Sequence, residues 1–463
     1  MSKTLSLNAR QQEICLKYSG LALPRYTSYP AITGWKDTST IPAIKEQLDA
    51  TALDQKAFSL YFHVPFCQRL CFYCGCSKEI MNPASTATQD VVQQYLQGLE
   101  REVAHFQHHV DSCVIEQLHF GGGTPNFLNV AQWRQLYENV LSRFTVSEEA
   151  EWSVELDPRL VKEDEIRYLY EIGVNRVSFG IQDFDPQVQK AINRIQPYEK
   201  VAEAVELVRS CGIPYINIDL IYGLPFQTEE SMQRTLDQVI RLSPDRIAYY
   251  RLAVLPDMFK AQQTFIDKDL PEGAACLALN LLGINRFLAA GYEFIGLDHF
   301  AKSNDPLAVA ARKDEVRRNF QGMTTGSNLP HLGFGPSAIS MLDDVFVQNP
   351  KSIDQWLVMV DDHEFKRKSR ILTEDDKIRR EVINQIFCHG TIDKPYTEAF
   401  HDVEFDHYFA KELHDLKSLA RDGLVTLDTH DIRLTQPLGL ILRQAVAAVF
   451  DTQQREGRGS QVS

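Results

Sequence analysis

The sequence predicts an α/β fold: a partial (β/α)6 barrel, preceded by an N-terminal arm and followed by a mostly helical C-terminal domain. Two observations support this. Strand and helix patterns alternate from about residue 56 to residue 300, and a cysteine-rich loop ends the first strand. Alternation at this spacing implies parallel strands joined by right-handed crossovers. The pattern alone leaves a full eight-stranded barrel or an open doubly wound sheet possible.

The first strand shows how these elements are predicted. Leu60, Phe62 and Val64 alternate with their neighbours and end at Pro65, which is typical of a buried strand. The predicted strands are Ser59–Val64, Ile115–Phe120, Trp152–Leu156, Arg176–Ile181, Tyr215–Ile221, Arg246–Leu252 and Glu293–Leu297. The helices predicted between them include Asp90–His108, Ala131–Phe144, Lys162–Ile172, Tyr198–Ser210 and Thr228–Arg241.

Three domains are predicted from these patterns. Residues 1–50 form the arm, residues 51–350 the barrel with its extension, and residues 351–463 a helical domain. Within the last, Gly423–Thr435 is predicted to be a short hairpin after a helix, which resembles a winged-helix module. The hairpin carries no basic cluster, so we interpret this domain as a lid or packing domain and not as a DNA reader.

Composition excludes several classes of function. The 463 residues include 48 Lys and Arg against 62 Asp and Glu, a net charge of −14, which argues against a general nucleic-acid binder. No apolar run is long enough for a membrane span, and the N-terminus lacks the apolar core of a signal peptide. We therefore expect a cytoplasmic protein with no membrane partner, and a monomer.

Residues 61–78 hold four of the nine cysteines. Cys67, Cys71 and Cys74 have the spacing C-x3-C-x2-C, and three thiolates on a short loop can hold three irons of a [4Fe–4S] cluster. The fourth iron then stays open for chemistry. A structural zinc site with Cys76 as the fourth ligand is the alternative, although the two separated C-x2-C pairs usual for zinc are missing.

Polar residues at the predicted carboxyl ends of later strands indicate a ligand site, because these ends meet on one face of a barrel. Gly121, Gly122 and Gly123 end the second strand, where backbone without Cβ atoms can approach a ligand closely. A carboxylate in an apolar strand is costly to bury alone, so Asp219 is expected to face a ligand or to pair with an arginine such as Arg194.

The cysteine loop, with Tyr73 just before Cys74, resembles the signature of the radical S-adenosylmethionine (SAM) superfamily. The string CFYCGC, the segment GGGTP at 121–125, PRYTSYP at 24–30, NIDLIYGLP at 217–225 and RNFQG at 318–322 resemble the oxygen-independent coproporphyrinogen III oxidase family. The resemblance covers nearly the whole chain. It implies a radical SAM barrel whose 5′-deoxyadenosyl radical starts the oxidative decarboxylation of two propionates of coproporphyrinogen III to vinyls, giving protoporphyrinogen IX in haem biosynthesis.

The resemblance also implies cofactors, partners and residues. It implies a cluster held by the three cysteines, two SAM molecules and an external electron donor. By motif match, the residues that contact the SAM on the cluster are Tyr61, Gly122, Glu155 and Ile339. Those that contact the second SAM are Tyr73, Gly123, Thr124, Gln182, Arg194, Asp219 and Ala253. No side chain is assigned as a general acid or base, since hydrogen-atom abstraction needs none.

Two arginines are candidates for binding the substrate's carboxylates. Arg25 lies in the arm, whose tyrosines either line a substrate pocket or pack on a domain surface; the resemblance favours the pocket. Arg318 belongs to a cluster with Arg312 and Arg317, and guanidinium groups match carboxylate geometry. For any single arginine of this cluster, a solvated helix face is the competing interpretation.

Three positions depart from the family pattern. Leu252 and Val254 replace a tyrosine and a histidine around Ala253, and Met323 replaces an aromatic residue after RNFQG. These departures leave two alternative functions open: a haem-binding chaperone of the same family, or another radical SAM enzyme acting on tetrapyrroles.

Overall fold

The computed structural model describes residues 4–19, 21–23, 26–54, 56–265, 270–320, 322–325, 329–453 and 460–461. The strands in these ranges are β1 (Ala22–Leu23), β2 (Lys36–Ser39), β3 (Ala57–Val64), β4 (Phe66–Cys67), β5 (Glu79–Ile80), β6 (Val114–Gly122), β7 (Val146–Leu156), β8 (Arg176–Gln182), β9 (Tyr215–Tyr222), β10 (Arg246–Arg251), β11 (Tyr292–Gly296), β12 (His299–Lys302), β13 (Arg317–Asn319), β14 (Gly322–Thr324), β15 (His331–Phe334), β16 (Ile339–Met341), β17 (Val345–Gln348), β18 (Arg367–Ile371), β19 (Thr391–Asp393), β20 (Val425–Leu427), β21 (Asp431–Leu434) and β22 (Ser460–Gln461).

The helices in the same ranges are α1 (Ala9–Ser19), α2 (Ile41–Asp54), α3 (Thr86–Val110), α4 (Val130–Asn139), α5 (Glu163–Glu171), α6 (Pro186–Ala191), α7 (Tyr198–Ser210), α8 (Glu229–Leu242), α9 (Gly273–Ala289), α10 (Pro306–Ala311), α11 (Ile353–Asp361), α12 (Glu374–Cys388), α13 (Lys394–His401), α14 (Phe405–Tyr408), α15 (Ala410–Arg421), α16 (Leu438–Ile441) and α17 (Arg443–Ala447). The seven predicted barrel-region strands correspond to β3 and β6–β11, each within two residues at its carboxyl end.

A thirteen-stranded sheet organises the described residues, in the order β11-β12-β10-β9-β8-β7-β6-β3-β15-β16-β17-β18-β2. The six predicted barrel strands, from β3 to β10, are parallel neighbours, and β15 adds a seventh parallel strand beside β3. The remaining strands pair antiparallel at the two edges. The predicted α/β architecture with a partial parallel barrel is confirmed.

The barrel's interior is polar because each strand alternates. In β9, Ile216, Ile218 and Leu220 are buried on the face covered by helices, while Asn217 and Asp219 line cavities on the other face. The helices bury the matching apolar stripe; α8, for example, buries residues at three- and four-residue spacing along one face. The main hydrophobic core therefore lies between sheet and helices, outside the barrel.

Residues on both sides of the predicted boundary at residue 350 pack on the main core and the large sheet. Trp356 of α11 is buried in the main core and packs on Tyr95 of α3, with ring centroids 5.7 Å apart. Strand β18 belongs to the large sheet as well. A second core is formed mainly by the helices from α12 onward and by the predicted hairpin, seen as β20 and β21, and residues of α1, α9 and α10 join it. The domain limits themselves stay predictions.

The arm contributes to that second core. Tyr26 and Tyr29 are 4% and 3% exposed and pack among the C-terminal helices, where Tyr26 lies 5.5 Å from the ring of Phe387. Their hydroxyls bond Asp451 and Thr452. These tyrosines thus take the packing role; Arg25, predicted to contact substrate, lies outside the described residues.

Candidate functional site

The cysteine loop leaves the sheet at Pro65 and is fixed at both ends. Strand β4 ends at Cys67 and pairs parallel with β5, which follows the last cysteine of the loop. Cys67 and Cys71 are buried, Cys74 is half-buried and Cys76 is exposed. The three predicted cluster ligands thus share one short loop at the carboxyl end of β3, as the spacing predicted.

Polar groups surround the thiols. The hydroxyl of Thr124 lies 3.3 Å from the Cys67 sulfur, and Arg194 Nη1 lies 3.5 Å from the Cys71 sulfur. Lys78 Nζ donates to the carbonyls of Cys74 and Cys76, both at 3.1 Å. Burial raises the pKa of the Cys67 thiol to about 11, and the hydrogen bond from Thr124 and the charge of Lys78 oppose this rise only in part.

A cavity of about 560 Å³ opens beside this loop; we name it the cofactor cavity. It is lined by the three cluster cysteines and by eight of the predicted SAM contacts, namely Tyr73, Gly122, Gly123, Thr124, Glu155, Gln182, Arg194 and Asp219. These residues come from the ends of five strands and the loops that follow them. The structure therefore brings most of the predicted site together around one space large enough for a cofactor.

Gly122 and Gly123 occupy positions where a Cβ atom would clash with neighbouring residues. Gly122 has φ +105°, and a Cβ atom there would lie 2.2 Å from Cε1 of His63. A Cβ at Gly123 would lie 2.7 Å from the carbonyl oxygen of Val64. The Gly123 and Thr124 N–H groups donate to Val64 and Phe66, each at 2.8 Å. The glycine segment is thereby pressed against the base of the cysteine loop.

Glu155 and Asp219, two of the carboxylates that line the cavity, have opposite environments. Glu155 accepts hydrogen bonds from the Gly122 N–H at 3.1 Å and from His119 at 3.2 Å. Burial favours the neutral acid, but these bonds outweigh it and hold the Glu155 pKa below its ordinary value. Burial and then the charge of Glu155 raise the pKa of Asp219 to about 7, despite bonds from Asn217 and Ser178.

Arg194 does not pair with Asp219, as one interpretation of the sequence allowed. Its Nε and Nη2 donate to the Gly180 carbonyl at 3.0 and 2.6 Å, and Nη1 lies 3.8 Å from Asp157 Oδ2. Nη1 also faces the Cys71 sulfur. The guanidinium therefore ties the cysteine loop to the end of β8.

Three predicted SAM contacts lie outside the lining of the cofactor cavity. Tyr61 stacks on His119, with centroids 5.8 Å apart, and its hydroxyl bonds His63 at 3.0 Å. Ala253 follows β10, and Ile339 begins β16 beside a small cluster of aromatic residues. The roles of all eleven residues stay predictions.

The segment after β10 is anchored by Gln262, which the sequence analysis missed. This side chain, 1% exposed, donates to the carbonyls of Tyr73 and Ala253 at 3.1 and 2.9 Å and accepts from the Leu255 N–H at 2.7 Å. It couples the two predicted SAM contacts directly. No local pattern marks it, since its partners lie seven or more residues away.

The three departures from the family pattern occupy different environments. Leu252 is 7% exposed in a small apolar cluster against which Tyr73 packs. Val254 is 38% exposed. Met323 is buried and lines a second, inner cavity of about 110 Å³ within the barrel. The departures thus alter packing behind Tyr73 and the wall of the inner cavity, and leave the lining of the cofactor cavity unchanged.

The predicted arginine cluster is divided in the structure. Arg312 is half-exposed and pairs with Glu293 at 2.7 Å, so it is a surface ion pair. Arg317 and Arg318 instead line a third cavity, described below. The inner faces of the strands carry the polar residues His119, Ser178 and Asn217, which were not predicted as site residues. Their alternation with apolar residues was the signal that could have identified them.

The residues fit an iron–sulfur cluster better than a zinc ion. Within the described ranges, no three His, Cys, Asp or Glu side chains are close enough to hold one metal ion. A single zinc ion needs its ligands that close, whereas a cluster offers each thiolate its own iron. The three cysteines, the buried cavity and the adjacent guanidinium suit a cluster.

Comparisons with known proteins define the class first. Residues 61–239 match the family model of the radical SAM superfamily, which covers the cysteine loop and the strands up to β9. The coproporphyrinogen III oxidase structure of Escherichia coli, described as a radical SAM enzyme, superposes with a TM-score of 0.89 at 38% identity, covering 97% of this chain and 99% of that one. The chain is therefore of the radical SAM class, which uses a [4Fe–4S] cluster and SAM.

Full-length relatives narrow this to one family. Oxygen-independent coproporphyrinogen III oxidase from Escherichia coli K12 is 40% identical over 95% of this chain and 94% of its own length. The same-named protein of Synechocystis is 38% identical over 95% and 94%. The chain belongs to the oxygen-independent coproporphyrinogen III oxidase family. These comparisons do not favour the chaperone or another tetrapyrrole-modifying enzyme.

In the described part of the chain, no helix has both the length and the apolar character required to cross a bilayer.

Proposed function

We propose that this protein converts two propionates of coproporphyrinogen III to vinyls by oxidative decarboxylation without oxygen, yielding protoporphyrinogen IX. The observation that carries the proposal is the convergence of Cys67, Cys71 and Cys74 on one cavity in a chain similar over its full length to such oxidases. When bound, the cluster supplies an electron to SAM, whose cleavage yields the radical that removes a hydrogen atom from the propionate.

The chain's own residues bind and orient. Cys67, Cys71 and Cys74 hold the cluster, while Arg194 and Lys78 place positive charge beside thiolates that would otherwise repel one another. Burial of Cys67 and Cys71 keeps water from the sulfur atoms. None of these steps requires a proton transfer by a side chain.

Glu155 and Asp219 take different roles toward SAM. Glu155 is held as a carboxylate by His119 and the Gly122 N–H, so it presents fixed negative charge to a cationic ligand. Burial and the nearby charge of Glu155 give Asp219 a pKa of about 7. Below that pH Asp219 holds a proton, and above it the carboxylate is free to attract a cationic ligand. A positively charged SAM would relieve the repulsion between the two carboxylates.

The finer parts of the proposal concern partners and location. We infer a monomer in the cytoplasm that receives its electron from an external donor. The net charge of −14 supports the monomer, because a charge far from zero makes copies of a protein repel one another.

The experiment is anaerobic reconstitution with iron and sulfide, followed by SAM, a reductant and coproporphyrinogen III. Mass spectrometry should show two successive losses of a carboxyl group, and Cys71→Ala should abolish both and reduce bound iron to background. Cys76→Ala is the matched control, because Cys76 shares the loop but is not a proposed ligand; it should retain iron. Release of 5′-deoxyadenosine with unchanged porphyrinogen would contradict the substrate assignment.

A further inference from the structure

A third cavity, of about 430 Å³, lies where the hairpin β13–β14 and strand β15 meet helices α12 and α13. We name it the arginine cavity, after Arg317, Arg318 and Arg380 in its lining; Asn384 and His401 line it too. None of these side chains has a part in holding the cluster or SAM in the proposal above.

Arg318 is a buried charge whose hydrogen bonds are incomplete. Its side chain is 3% exposed, and its Nε and Nη1 have no hydrogen-bond partner among the residues that the structure describes. Asp298 Oδ1 lies 3.9 Å from Nη1, beyond hydrogen-bond distance. A buried guanidinium with unsatisfied donors is costly unless an anion completes it.

The neighbouring cationic groups are also incompletely satisfied. Arg380 forms no hydrogen bond or ion pair with a side chain or backbone group in the described ranges. Its guanidinium lies 5.6 Å from the ring centroid of Phe346. The Nε of Arg317 and the Nε2 of His401 are buried without hydrogen-bond partners in the same part of the chain. Arg317 and Arg318 thus have unsatisfied donors, and Arg380 adds a third guanidinium to the lining of the same cavity.

Carboxylates on the cavity wall do not satisfy these donors. Glu374 bonds Lys377 at 2.8 Å, and Glu381 accepts from Gln385 at 3.2 Å. Asp343 also lines the cavity. The charges of Glu381 and Asp343 favour the charged form of the Arg380 guanidinium and would repel a ligand carboxylate beside it, so Arg318 is the stronger anion site.

The inner cavity shares lining residues with both the arginine cavity and the cofactor cavity. The inner cavity shares Gln117, Asn319 and Thr324 with the arginine cavity. It shares Glu155, Ser178, Asp219 and Tyr250 with the cofactor cavity. The three spaces adjoin in sequence through the barrel interior.

We propose that the arginine cavity binds a propionate that the reaction leaves in place, with Arg318 as its main ligand and Arg380 as its second. This assignment rests on the proposed function. Coproporphyrinogen III carries four propionates, of which two react; while one reacts in the cofactor cavity, the others need positive charge elsewhere. Arginine forks match carboxylates in geometry and charge. Arg318 and Arg380 thereby select tetrapyrroles that carry further carboxylates besides the propionate that reacts.

The test uses the reconstituted full-length enzyme, coproporphyrinogen III and the variants Arg318→Gln, Arg380→Gln and Arg312→Gln. Loss of a charge-assisted bond predicts that KM for the porphyrinogen rises about tenfold or more in the first variant and less in the second, with kcat changed less than threefold. Bound iron should stay at the wild-type level. Arg312→Gln, at the surface ion pair with Glu293, should change neither constant.

A second measurement begins with the wild-type enzyme, so its main result does not depend on whether a variant folds. The wild-type enzyme is given an analogue in which the two unreactive propionates are primary amides. Its KM should rise by a factor similar to that caused by Arg318→Gln, and the variant should no longer distinguish the analogue from the acid. Equal KM values for acid and amide in the wild type, or an unchanged KM in Arg318→Gln, would overturn the assignment alone. Absence of vinyl product from the wild type would overturn the proposed function and this assignment with it.

Discussion

The cofactor cavity and the arginine cavity treat buried charge in opposite ways. In the first, Glu155 and Arg194 have protein partners at hydrogen-bond distance. In the second, the Arg318 side chain is 3% exposed, yet its Nε and Nη1 have no hydrogen-bond partner among the described residues. Charged groups that already have hydrogen-bond partners preorganise a site. A buried charge without such partners is costly, and a ligand of opposite charge removes that cost when it binds. The first cavity is therefore built in advance, and the second depends on its ligand for completion.

The largest effect is expected at Arg194. Arg194→Lys keeps the charge but loses the paired bonds to the Gly180 carbonyl, so the cysteine loop loses its tie to β8. Misplacement of a site by about 1 Å can reduce activity about 10²-fold, and we expect a loss of that order in vinyl formation. Anaerobic turnover with measured iron content checks it.

The control for Arg194 is Arg234→Lys, at an exposed pair with Glu230, which should leave turnover unchanged. Turnover of Arg194→Lys within threefold of wild type would mean that the cofactor cavity does not depend on its preformed bonds, and the contrast between the cavities would fail.

Gly122→Ala tests how tightly the cofactor cavity is packed. The φ of +105° and the 2.2 Å approach to His63 should together lower the free energy of unfolding by about 2–5 kcal/mol. Urea unfolding followed by fluorescence measures the change.

Gly291→Ala separates the two causes. Gly291 has φ +90° with nothing within 4 Å of a Cβ atom, so its substitution should cost only about 1–2 kcal/mol of backbone strain. Equal losses at the two glycines would show that the contact with His63 contributes nothing.

The smallest effect is a pH dependence at Asp219. Its pKa rises from an ordinary 3.8 to about 7, because of burial and then the charge of Glu155. The folded state therefore keeps a proton that the unfolded state has lost, and this group's contribution to stability declines as pH rises from about 4 to about 7. Asp219→Asn removes the decline, so its thermal midpoint relative to wild type should be a few degrees higher at pH 8 than at pH 5. The same difference at both pH values would contradict this.

Local patterns predicted much of this molecule and missed what depends on distance along the chain. The alternation Leu60, Phe62, Val64 and the cysteine spacing identified the first strand and its loop, since both signals lie within a few residues. The partners of Asp219 were not predictable, because Ser178 comes from another strand and Arg194, the expected partner, is taken by Gly180 and Asp157.

Long-range packing near the predicted domain boundary and in the arm was not predictable for the same reason. Pairing of β18 with β2 and the packing of Trp356 on α3 join segments far apart in sequence, and neither segment carries a pattern that names its partner. The position of Arg318 relative to α12 is of this kind too. Its type and sequence neighbours marked it as a candidate, but only the fold shows that its donors are unpaired.

Strand β2 has a consequence for how the chain is made. Ser39 pairs with Arg367, more than three hundred residues later, and together they complete one margin of the large sheet. On the ribosome, the N-terminal strand must wait until its partner has emerged, which takes tens of seconds at about 5–20 residues per second. During that interval β2 has no strand to pair with, so its backbone N–H and C=O groups are open to chaperones and to wrong association.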